Sequence, residues 1–93
     1  MQRMSIEEQI RQEQEIIDRT KAVLERLKEE KAWIEETMKP YEIEYQIQMA
    51  TVRLGINAAE KHIHVHEMSL QTIMDIANRR KDGATHDHDD TAQ

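Results

Sequence analysis

The chain has 93 residues, 38% hydrophobic and 34% charged, with six Met, one Trp, two Tyr, no Phe and no Cys. That length holds one small domain with a modest core, and the scarcity of aromatic volume suits helix-on-helix packing better than a thick globule. The lack of cysteine excludes a disulfide framework and a thiolate metal centre.

The net charge of −6 is unevenly spread. Residues 1–40 carry eight Lys/Arg against ten Asp/Glu, residues 41–81 five against five, and residues 82–93 four Asp with no base. A nearly neutral body argues against direct nucleic-acid binding. No run approaches the roughly 18 apolar residues that cross a bilayer. Met1–Ser5 also lead into a charged segment without the apolar stretch of a signal peptide. A cytoplasmic protein with no membrane partner is expected.

Ser5-Ile-Glu-Glu8 fits a capping box. From there Ile6, Ile10, Glu13, Ile17, Thr20, Leu24, Leu27, Lys31, Ile34 and Met38 recur at spacings of four and three, a heptad seam flanked by Glu, Lys, Arg and Gln. Helix 1 is therefore predicted over about 6–38. Lys39-Pro40 interrupts it, because proline disfavours helical geometry at the preceding residue and suits the start of a new helix. Glu42 and Glu44 then complement the positive end of a second helix dipole. The four-three spacing resumes through Tyr45, Met49, Val52, Ile56, Ala59, Ile63, His66, Leu70, Ile73 and Ala77. Arg79, Arg80 and Lys81 suit a helix C-terminus, and Asp82-Gly83 is the expected stop. Helix 2 is thus predicted over about 41–81, completing a hairpin domain over residues 1–83. Residues 84–93 are expected to be a disordered acidic tail.

Two features complicate this reading. Tyr41-Glu-Ile-Glu-Tyr-Gln-Ile-Gln-Met49 alternates with a strand period, and Gly55 with Asn57 could mark a kink. A continuous bent helix is the rival to a hairpin. The short connection favours the fold-back, giving an all-α, antiparallel, coiled-coil-like two-helix hairpin.

Within helix 2, Ile43, Ile47, Ala50 and Leu54 fall on the face opposite the seam. A contiguous apolar stripe in water favours association, so a homodimer forming a four-helix bundle is expected. Ile16 and Val23 flank the seam of helix 1 and add to that surface. Trp33, Tyr41 and Tyr45 are expected to cluster at the bend. There they would either plug the open end of the hairpin or, with Trp33 and Tyr41 foremost, form a hot spot for a larger protein partner. In the antiparallel register position 13 falls opposite position 66, and position 20 opposite position 59. Glu13 and His66 are therefore expected to pair and fix register, as buried polar residues do in coiled coils.

His62 and His66 share a helical face at i,i+4, a spacing that can chelate a divalent metal, and Glu60 with His64 could do so on another face. No HExxH or Glu-x-x-His pattern accompanies them, and no cofactor is expected. The hairpin length resembles that of small helical secretion substrates of the WXG type, but Trp33-Ile34-Glu35 stands where their Trp-x-Gly would be. No nucleophile, base and cavity converge in the sequence. The expected role is a non-enzymatic interaction module: an adaptor, assembly factor or inhibitor of a larger protein. The alternatives are an acidic inhibitor of a nucleic-acid-binding protein acting through Asp87–Asp90, and a metal-responsive protein using His62 and His66.

Overall fold

A computed structural model describes the backbone of residues 4–86 and the side chains of residues 4–80. Two helices, α1 (Ile6–Thr37) and α2 (Ile43–His86), fold back on one another as an antiparallel hairpin. Its extents are 70 × 26 × 19 Å, the long axis being close to the roughly 66 Å rise of a 44-residue helix. No strand occurs among the described residues, so the alternating segment from Tyr41 to Met49 is not β.

Ser5 opens α1 in extended geometry. Its hydroxyl accepts the Glu8 N–H at 3.1 Å, while its own N–H donates to Glu8 Oε1 at 2.9 Å. The reciprocal pair satisfies two donors that a helix start leaves orphaned. It also holds the Glu8 carboxyl below its ordinary range, chiefly through the bond from the Ser5 backbone.

At the far end Met38 turns extended, its N–H still donating to Ile34 O. The chain reverses over Lys39-Pro40-Tyr41-Glu42. Lys39 N–H donates to Glu42 Oε1 at 2.9 Å and Glu42 N–H returns to Lys39 O at 2.9 Å. Gln46 then reaches back to donate from Nε2 to Pro40 O. Glu42 therefore closes the turn, and α2 starts at Ile43 rather than at position 41.

Every position of the expected seam, in both helices, is buried or half-buried. Ile34, Met49 and Val52 form the tightest cluster, with Leu27, Met38, Tyr45 and Ile56 packed on it. Ile17, Ala59 and Ile63 continue the buried line toward the other end. The polar interruptions are each resolved locally. Thr20 donates its hydroxyl to Ile16 O at 2.8 Å, and the Lys31 stem carries its ammonium outward to Glu35 at 3.6 Å.

Gly55 does not kink α2. It packs against Leu27 of α1, and a Cβ there would sit 3.2 Å from Leu27 Cδ1. Small size, not backbone freedom, is what the position uses. Nor does α2 end at Asp82-Gly83; it continues through Ala84 to His86. A single glycine costs a helix about 1 kcal/mol and does not by itself terminate it. Ala84–His86 thus belong to α2, and the rest of the expected acidic tail, residues 87–93, lies outside the described residues.

Candidate functional site: the outer face of the second helix

Burying one heptad seam uses one side of each helix. The side of α2 facing away from α1 is nonetheless apolar. Ile43 is 77% exposed, Ile47 61% and Leu54 70%, with Ala50 exposed between them. The stripe runs further than the sequence reading took it. Val65 and Met68 continue the same outer side of α2, both exposed, interrupted by Asn57 and Lys61, whereas Ile76 lines a groove shared with Met4, Ser5 and Ile6. The signal for this extension was present in the spacing of Val65 and Met68 from Leu54, but three histidines and Lys61 dilute it. A shallow depression on this face is lined by Asn57, Glu60, Lys61, His64 and Val65.

The aromatics do not form one cluster. Tyr45 turns inward onto the Ile34, Met49 and Val52 core and is the ring that helps close that end of the hairpin. Trp33 is 55% exposed and Tyr41 78% exposed. Trp33 precedes the buried Ile34 and so lies on the side of α1 away from α2, whereas Tyr41 sits in the turn. The three separate because they occupy a seam position, an outer position and a turn position. Ile16 is half-buried, and Val23 lines a groove beside the seam with Leu27, Gly55, Ala58 and His62.

Glu13 and His66 meet across the helices, with Glu13 Oε1 2.6 Å from His66 Nδ1. The side chains are about four-fifths covered, at 21% exposure for His66 and 18% for Glu13, so the contact is a short polar bridge inside a mainly apolar seam. His62 packs edge-on against the His66 ring, with centroids 4.4 Å apart. His62 and His66 therefore share a face, but the Nδ1 of His66 is committed to Glu13. Among the described residues no group of three or more His, Cys, Asp or Glu side chains is placed to hold a metal ion. The inter-helix pair Lys21–Glu67, at 4.0 Å and half exposed, adds little by comparison.

No helix among the described residues is long and apolar enough to cross a membrane. No protein-family model matches the chain, and comparison with curated proteins and with solved structures returns no match.

Proposed function

We propose that this chain is a non-enzymatic helical interaction module of the cytoplasm, an adaptor, assembly factor or inhibitor of a larger protein, that works as a homodimer of four helices. The observation that carries the reading is the outer stripe of α2, where Ile43, Ile47 and Leu54 stand in solvent although the hairpin seam is already satisfied. Soluble chains rarely leave a contiguous apolar band of this length uncovered, and such bands mark association surfaces. The chemistry-bearing pair of the seam, Glu13 and His66, is engaged with itself, which supports a structural use. Trp33 and Tyr41 lie apart from the stripe and are assigned to the larger partner, since exposed Trp and Tyr are the residue types that dominate binding hot spots.

The test pairs Ile47→Glu with Leu54→Glu in one variant. Circular dichroism should show the helix content retained, because both residues are exposed, while light scattering should show the assembly reduced to a single chain. A variant with unchanged mass and unchanged helicity would refute the assignment of this face.

A further inference from the structure

We propose that the occupant of the outer α2 stripe is a second copy of this chain lying antiparallel, α2 against α2, so that the two α1 helices are outermost and the two bends point in opposite directions. This rests on the reading of that stripe as an association surface. Three observations on the molecule lead to it.

The first is angular. The exposed stripe lies opposite the seam on α2, not beside it. A closed, square four-helix bundle needs the two apolar faces of each helix to meet at a corner, so that all four helices share one core. Faces on opposite sides place α2 between two neighbours, giving a flat four-helix layer in the order α1, α2, α2, α1.

The second is charge. Residues 35–44, around the bend, hold four Glu against one Lys, whereas residues 71–81 hold one Asp against three Lys/Arg. A parallel pairing would bring two acidic bends together and set Arg79 and Arg80 of each copy side by side. The antiparallel pairing instead brings Glu42 and Glu44 of one copy to the end where Arg79 and Arg80 of the other emerge, and it opposes the helix dipoles.

The third is the fit of the stripe to itself. Reversing one copy so that Leu54 faces Val65 also sets Ile47 against Thr72 and Met68 against Thr51. Lys61, a charge on the midline of the stripe, then faces small Ala58, past which its stem can reach water, and Asp75 faces Glu44 beside the basic Arg79 and Arg80. The depression lined by Lys61, His64 and Val65 lies where the second copy's Leu54 arrives. From Ile43 to Met68 the stripe is about 38 Å long and one helix face, about 10 Å, wide. That covers roughly 400 Å² per copy, or about 800 Å² in all, the size of a small, weak interface. It follows that Trp33 and Tyr41 recur at both ends of the assembly, making the dimer bivalent toward its larger partner.

The chain's lack of cysteine makes the test clean. Single variants Leu54→Cys and Val65→Cys are made in the full chain and oxidised separately and as an equal mixture, with light scattering on the reduced proteins. The expected result is a disulfide-linked species in the mixture and little in either variant alone, since a bridge needs Cα atoms within about 7 Å. Ile47→Cys mixed with Thr72→Cys should behave the same way and guards against one variant misfolding. Leu54→Cys linking to itself would overturn the antiparallel arrangement. A dimeric mass with no cross-link in either mixture would overturn the α2-to-α2 face while leaving association itself intact. A monomeric mass without cross-links would overturn the second copy as occupant.

Discussion

Gly55→Ala sets two opposed effects of known size against each other. The residue lies in the interior of α2, where replacing glycine by alanine favours the helix by about 1 kcal/mol. Against this, the new Cβ would meet Leu27 Cδ1 at 3.2 Å and Cδ2 at 3.4 Å, a few tenths of an ångström inside comfortable carbon–carbon separation. The obstructing atoms are the far ends of a half-buried side chain, not backbone, so Leu27 can rotate slightly toward the adjoining groove. An off-rotamer adjustment of that kind costs about 0.5 kcal/mol. The net gain is about 0.5 kcal/mol, which for a domain of this size raises Tm by roughly 2–4 °C. Thermal unfolding followed by circular dichroism, at matched protein concentration because association shifts Tm, reads it directly. Gly55→Leu should do the reverse, since its bulk cannot be absorbed and overpacking costs about 1–3 kcal/mol. If Gly55→Ala lowered Tm by several degrees, Leu27 would be unable to yield, and the close approach of the helices would be rigid rather than adaptable.

A double-mutant cycle on Glu13→Ala and His66→Ala should return a coupling of about 1–3 kcal/mol in urea unfolding, because each single change leaves a polar group half-buried and unpartnered; additive effects would mean that the 2.6 Å contact is incidental. Replacing the pair by Glu13→Leu with His66→Leu should hold or raise stability while loosening register, visible as broadened distances between spin labels on the two helices. Ser5→Ala should cost about 1 kcal/mol through loss of the N-cap. The Glu8 carboxyl, depressed in the folded state, stabilises the first turn above its ordinary value of 4.5 and ceases to do so as pH falls through its folded value. The Ser5 amide resonance should therefore titrate on acidification, and an amide insensitive to acid would contradict the cap. Trp33→Ala and Tyr41→Ala should change stability by no more than about 0.5 kcal/mol, whereas Tyr45→Ala, which removes a ring from the core cluster, should cost about 3 kcal/mol.

The hairpin and its register were legible because the polar positions kept time with the apolar ones. Glu13, Thr20 and Lys31 stand at seam spacing, and each finds a local solution that the seam tolerates. The start of α2 was less legible, because it depends on the Glu42 side chain folding back to Lys39, a hydrogen bond that no periodicity announces. Gly55 looked like a kink because glycine freedom and glycine smallness leave the same mark in a sequence. Only the packing partner, Leu27, tells them apart.

The strand-like alternation from Tyr41 to Met49 has a physical explanation. Residues two apart on a helix lie about 200° around its axis. Alternating apolar residues therefore fall on opposite sides: Tyr45 and Met49 enter the seam, while Ile43 and Ile47 face out. A helix that is apolar on two faces reads as a strand. The feature that most obscured the fold is thus the same one that marks the candidate site, and its continuation to Val65 and Met68 went unread because Asn57 and Lys61 break the rhythm.

Coverage of the outer face of α2 by another copy of the chain is tested most directly by sedimentation equilibrium at micromolar concentration. A species of twice the 11.0 kDa chain mass is expected, falling to the single-chain mass when Ile47 and Leu54 are both replaced by Glu. A wild-type protein that sediments as a folded single chain across that range would contradict it.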